Sequence, residues 1–393
     1  MIAIENIQSV GPWGLSQDND ALLIKQLFTN NPQELPWQYS PKTLEDQILK
    51  NSIDGTIKEK KLLENLLNNS EKQNLPRDTL IAIHLVNLVL ERCTKSQLNL
   101  VCASFPTYVP DNMTVKSESE LPSYSKLASA QSRIQPYNFS RQLPNQLISN
   151  LAIHFGFQGN LINFCGNDSS FSAIESAMRT ILNGSNDDML FVGSFCYTPS
   201  IIFHELTAII QSAADSFKVN QIPLNEWVGV TRLKKLRNVK SDDCILLALN
   251  SYRLNIKNNL SDQVFEYIEE LTKSANKAIT DIDLVLINDP SNSWLIEQLT
   301  ILKFFRADVK IVDFYERLGN SLNCRFIQSL ELIQAIYEAR AIPKKIRPNF
   351  RQNAQAFHNS EITNFNGQCC LIICSSLEGE LHMGLLEKLK NED

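Results

Sequence analysis

The nine cysteines, Cys93, Cys102, Cys165, Cys196, Cys244, Cys324, Cys369, Cys370 and Cys374, include no Cys-x-x-Cys pair. An odd number cannot all pair within one chain. Most sit in apolar strings such as Cys369-Cys370-Leu371-Ile372-Ile373-Cys374. They read as buried free thiols of a reducing compartment, which excludes a disulfide framework. The five histidines, His84, His154, His204, His358 and His382, lack zinc-ligand spacing, so neither a metal nor an organic cofactor is implied. Positive charge is not in excess. A net charge of −6 excludes the basic footprint of a nucleic-acid binder and fits anionic membranes poorly. No apolar run reaches the roughly 18 residues that a membrane-spanning helix needs. The first residues, Met1-Ile2-Ala3-Ile4-Glu5-Asn6, carry no signal- or transit-peptide pattern, so a cytoplasmic protein is expected.

What remains is ordinary globular material, 43% hydrophobic and 20% charged over 393 residues. That length suits two domains or one duplicated one. Short apolar strings predict strands at Ile2–Ile4, Asn99–Phe105, Leu161–Phe164, Met189–Val192, Cys244–Leu249, Leu284–Ile287 and Val309–Val312, with a last one at Leu371–Cys374. Helical spacing predicts helices at Leu80–Leu90, Gln146–Phe155, Phe171–Leu182, Gln263–Lys277, Ser293–Phe305 and Ile327–Ala339, with further surface helices over 44–70. Residues 106–135, rich in proline, serine and polar side chains, read as a long functional or interface loop. Buried strands alternating with helices predict an α/β fold with covered sheets.

The segment Gly166-Asn167-Asp168-Ser169-Ser170-Phe171, running on to Asn183-Gly184 and Leu190-Phe191-Val192-Gly193, resembles the nucleophile elbow of the β-ketoacyl synthases. In that family a strand turns sharply into a helix, and the helix N-terminus stabilises a cysteine thiolate. Ile134-Gln135-Pro136-Tyr137, then 145–153 and Gly156-Phe157-Gln158-Gly159, are similar to the family's interface helix and following turn. Val309–Val312 leading to Leu318-Gly319-Asn320 and Ala341-Ile342-Pro343 is similar to its Gly-His segment. Asn288 falls where a second histidine stands, and Asn364-Phe365-Asn366-Gly367-Gln368 resembles an eroded form of its Gly-rich gating loop. The resemblance implies the thiolase-like condensing-enzyme fold. Five layers, α-β-α-β-α, would come from two duplicated halves, residues 1–242 and 243–393.

The same resemblance implies lost catalysis. The nucleophile position reads as Asn167 when counted from the following helix and as Asp168 when counted from the preceding strand. The two histidine positions read as Asn288 and Asn320, and the lysine position as Tyr315. No thiol and no imidazole pair remains to hold an acyl group and stabilise an enolate. Degenerate members of the family are the chain length factors of type II polyketide synthases. They pair with an active ketosynthase, work with an acyl carrier protein, and limit chain growth in aromatic polyketide or aryl polyene synthesis. A residue shaping the tunnel would come from Met113, Asn138, Leu143 or Leu147; Leu143 and Leu147 share one helical side and also fit a core. An obligate heterodimer of this kind buries on the order of 2,000 Å² or more.

Three other readings stay open. The chain could be a dead scaffold without chain-length control. It could be an active ketosynthase with a displaced cysteine, Cys165 or Cys196, served by His154 or His204. Asp168-Ser169-Ser170 could supply a serine, although no Gly-x-Ser-x-Gly surrounds it and no partner base is evident in the sequence. The pairs Asp187-Asp188 and Glu269-Glu270 read as solvated carboxylates. Lys234-Lys235 and Lys344-Lys345 read as solvated faces or a small carrier-protein contact.

Overall fold

The computed structural model describes residues 1–11, 14–15, 75–90, 98–104, 145–166, 168–196, 226–236, 244–255, 257, 259–288, 305–306, 308–313, 321–339, 341–343, 362–376 and 380–388. The helices expected over 44–70 and 293–305 and the loop expected over 106–135 lie essentially outside these residues.

The main strands are β1 (Ile2–Gly11), β3 (Asn99–Ser104), β4 (Leu161–Cys165), β5 (Asp188–Phe195), β6 (Trp227–Lys235), β7 (Cys244–Arg253), β8 (Leu284–Asn288), β9 (Lys310–Asp313), β12 (Cys369–Ser375) and β13 (Glu380–Lys388). Short β2 (Gly14–Leu15) pairs with β1, and β10 (Ala341–Pro343) pairs with β11 (Ile362–Asn364). The described helices are α1 (Arg77–Leu90), α2 (Gln146–Phe155), α3 (Ser169–Leu182), α4 (Leu260–Ser274) and α5 (Arg325–Ala339).

The sheet order is β4-β3-β5-β6-β1-β7-β13-β12-β8-β9. Read from either edge towards its centre, the arrangement repeats. Each half places its main strands in the chain order third, second, fourth, fifth, first. In each half the fifth strand, β6 or β13, is the one antiparallel to its neighbours. The first strand of each half meets the other antiparallel, through Ile2 with Leu246, Ala3 with Ile245 and Ile4 with Cys244.

Side-chain alternation along these strands builds three cores. Ile2, Ile4, Val101, Phe191, Leu246, Leu286 and Ile372 face an inner core that also holds Ile174 and Ala177 of α3 and Leu330 and Ile333 of α5. Leu100, Cys102, Leu190, Val192, Val228 and Val230 face outward onto α1 and α2. Ile245, Val285, Ile287, Leu371 and Met383 face outward onto α4. The layers are therefore α1/α2, sheet, α3/α5, sheet, α4.

Local signals explain the element ends. Gly156 closes α2 with φ 68°, a left-handed conformation that glycine adopts without strain. Asn259 caps α4 by accepting a hydrogen bond from the Ser261 N–H at 3.0 Å. Two expectations are corrected. Leu371–Cys374 is not the last strand, because β13 follows and pairs along its whole length with β7. β4 is not a fully buried strand: among the described residues its one sheet neighbour is β3, and Leu161 remains 45% exposed.

Candidate functional site

β4 ends at Cys165, and the chain turns within three residues into α3. The turn is tight enough to force two residues to positive φ, Gly166 at 112° and Asp168 at 55°. Glycine tolerates this; for an aspartate it is uncommon, and the short polar side chain is among those that accept it. Backbone hydrogen bonds from Ser169 N to Gly166 O (3.4 Å) and from Phe171 N to Asp168 O (2.9 Å) close the elbow.

Asp168 is 7% exposed and its carboxylate is held from two sides. Oδ1 accepts from Arg325 Nε at 3.0 Å and from Arg325 Nη2 at 2.5 Å. Oδ2 lies 3.7 Å from His382 Nε2. Arg325 also donates to the Ser375 carbonyl at 2.5 Å, which ties the N-terminus of α5 to the end of β12. Burial pushes the Asp168 carboxyl upward, but the Arg325 charge and the adjoining His382 ring outweigh it and hold the group below its ordinary value. It is therefore a carboxylate at neutral pH. The His382 ring lies against Phe171, with centroids 4.5 Å apart, and its Nδ1 is 3.0 Å from Ser251 Oγ.

Asn288 ends β8 opposite Cys374 of β12, at the same end of the sheet as Ser375. It is 1% exposed, and neither side-chain amide atom has a hydrogen-bond partner among the described residues. Ser169 and Ser170, in the first turn of α3, are likewise buried with unpartnered hydroxyls among the described residues. A polar region thus gathers where the parallel strands of both halves end, the usual place for a site in such sheets. Burial pushes the Cys374 thiol in this region up to about 12.

Of the residues singled out from the sequence, the structure brings Asp168 and Asn288 to this end of the sheet. Asn167, Asn320, Tyr315, Met113, Asn138 and Leu143 lie outside the described residues. Leu147 is 2% exposed and packs with Ile148 and Leu151 against the core of α1, so its side chain belongs to the outer core. The gating-loop resemblance at 364–368 is corrected. This segment enters the opposite end of β12, where Asp283 Oδ2 accepts from the N–H groups of Gln368 (2.7 Å) and Cys369 (3.1 Å). Seven residues of strand separate it from Ser375, roughly 20 Å.

Cys165 is exposed at the end of β4, where Asn163 Nδ2 donates to its sulfur at 3.1 Å and Ser104 Oγ lies at 3.1 Å. Cys196 is buried. His154 stacks edge-on against Phe155 on α2, and His204 lies outside the described residues. Arg325 and Ser251 were not singled out in the sequence, and His382 was noted there only as lacking zinc-ligand spacing. Arg325 is 157 residues from Asp168, and no local pattern joins them. Among the described residues there is no cluster fit to hold a metal, and no helix is long and apolar enough to cross a membrane.

No family model matches the sequence, and no curated protein does. Solved structures do. The ishigamide ketosynthase/chain length factor superposes with a TM-score of 0.67 at 13% identity, over 99% of each chain. A β-ketoacyl synthase from Burkholderia phymatum STM815 gives 0.66 at 11%, also over 99% of each chain. The type II polyketide ketosynthase AntDE, in a structure with its acyl-carrier protein AntF, gives 0.62 at 13%, over 98% of this chain and 99% of that one. With its repeated strand order and its elbow between β4 and α3, this chain has the condensing-enzyme fold of the β-ketoacyl synthases.

Proposed function

We propose that this chain is a non-condensing member of the β-ketoacyl synthase family that pairs with an active ketosynthase, in the manner of a chain length factor. The observation that carries it is the locked elbow. A condensing enzyme needs a free thiolate at the helix start, and Asp168 there is an ionised carboxylate clamped by Arg325. A carboxylate in an ion pair forms no thioester. Asn288, at the end of β8, offers an amide where a condensing enzyme would use a histidine.

A second subunit fits the edge of the sheet. Among the described residues β4 pairs on one side only, and Leu161 on it (45% exposed), Leu182 at the end of α3 (47%) and Ile153 on α2 (82%) present large apolar side chains. A groove lined by Phe164 of β4 and by Ser172, Glu175, Ser176, Arg179 and Thr180 runs along α3. An open strand edge flanked by apolar side chains is a liability unless covered. Likeness to a ketosynthase/chain length factor and to a ketosynthase studied with its carrier protein supports the same partners here. Chain-length control we assign to the 136–150 segment with Met113, Asn138 and Leu143. Leu147 would act by seating α2. The halves would divide near residue 242.

Co-expression with a ketosynthase of the same system, followed by size exclusion, tests the pairing. A one-to-one complex that is lost in Leu161→Asp/Ile153→Asp supports it. Absence of a complex, or one indifferent to these substitutions, rejects it.

A further inference from the structure

Ser251, His382 and Asp168 stand in the order of a proton relay. Ser251 of β7 lies directly opposite His382 of β13 in the antiparallel register, and its Oγ is 3.0 Å from His382 Nδ1. Ser251 is exposed, whereas His382 is 5% exposed. The second ring nitrogen, Nε2, is 3.7 Å from Asp168 Oδ2. That is too long for a hydrogen bond but close enough for charge stabilisation. A carboxylate only accepts, so it favours the tautomer with the proton on Nε2. Nδ1 then holds the lone pair and accepts from the Ser251 hydroxyl, within the reach a general base needs. Phe171 on one side of the ring and the clamp of Arg325 on Asp168 fix the geometry.

We propose that Ser251 is a nucleophile, with His382 as its general base and Asp168 as the positioning residue, and that it hydrolyses acyl thioesters. The thioester as substrate class rests on the function proposed above; the relay does not. In the first step Ser251 Oγ bonds to the acyl carbonyl carbon while its proton passes to His382 Nδ1. The carbon–sulfur bond breaks, and the departing thiolate takes that proton and leaves as a thiol. Water then adds to the seryl ester, giving its proton to His382. The ester bond breaks, Ser251 recovers the proton, and the carboxylic acid is released. Nothing is oxidised or reduced. Asp168 stabilises the imidazolium formed in each half. Such an activity would clear stalled acyl chains from a carrier.

The full-length chain is treated with a fluorophosphonate probe, and the modified peptide is mapped by mass. The relay predicts phosphonylation of Ser251, absent in Ser251→Ala and slowed at least ~100-fold in His382→Asn. A urea midpoint checks that each variant is folded. Should His382→Asn unfold, the pH profile of wild-type labelling decides. A single ionisation below which labelling is lost supports the relay, and a flat profile overturns it. Absence of label on Ser251, or equal labelling in folded His382→Asn, also overturns it. Hydrolysis of an acyl-pantetheine by the wild type but not by Ser251→Ala supports the thioester assignment. Cleavage of a p-nitrophenyl ester alone overturns that assignment and leaves the relay standing.

Discussion

Replacing Asp168 with alanine strips the elbow clamp of its negative charge and leaves the Arg325 guanidinium, 4% exposed, facing a methyl group. Breaking one side of a buried ion pair costs about 3–5 kcal/mol, because the other charge stays in a poorly polarisable interior. Arg325→Leu alone leaves the carboxylate in the same position and costs a similar amount. Removing both charges is different: buried pairs replaced by apolar groups of similar volume are often neutral. Asp168→Ala/Arg325→Leu is therefore expected within about 2 kcal/mol of the wild type, with a coupling energy of several kcal/mol between the two sites. Urea unfolding of the four proteins at pH 7, followed by circular dichroism, measures this cycle. The pH dependence has a definite sign. Asp168 is held below its unfolded value, so its contribution is present above the ordinary aspartate range and is lost as pH falls through the depressed value. The double variant should lack this acid limb. Additive single effects, or a cost below about 1 kcal/mol for Asp168→Ala, would refute the clamp.

Glu331 is buried on α5, accepts from Ser9 Oγ and from Trp227 Nε1 (2.9 Å), and burial pushes it from 4.5 to about 7. Its contribution is fully present below the unfolded value and is lost as pH rises through about 7. The loss amounts to about 3 kcal/mol, and Glu331→Gln should abolish that slope in urea midpoints taken from pH 4 to 9. Leu147→Ala should cost about 2–5 kcal/mol in the isolated chain, read by thermal melting, as expected for a core leucine. A Cβ at Gly229 would come within 1.9 Å of the Trp227 ring, so Gly229→Ala should lower the melting temperature measurably. Among the described cysteines, Cys165 is the exposed one, and Cys165→Ser should remove the fast phase of a thiol-reagent titration.

Strands buried on both faces were legible because they are continuous apolar runs: Leu284–Asn288 and Cys369–Ser375 stand out without any alignment. β6 and β13 were not read, since each mixes charge with apolar residues. In β6, Val228 and Val230 face one core while Trp227 and Leu233 face another, and Arg232 and Lys234 sit in ion pairs with Asp188 and Glu5. In β13, His382 and Gly384 interrupt the apolar string, although Leu381, Met383 and Leu385 keep the two-residue period. That period was the signal that could have found both strands. The elbow was legible because its glycine, its small residues and the helix after it are contiguous. Its chemistry was not: Asp168 acquires its meaning from Arg325 and His382, which reach it through tertiary packing from α5 and β13.

The central claim is that no acyl thioester forms on this chain. The measurement that tests it most directly is the intact mass of both subunits after loading a reconstituted complex from acyl carrier protein, with and without neutral hydroxylamine. Hydroxylamine cleaves thioesters and spares serine esters. The account predicts a hydroxylamine-labile acyl group on the partner ketosynthase and none on this chain. A labile acyl group on this chain, mapped to Cys165 or any other cysteine, would contradict it.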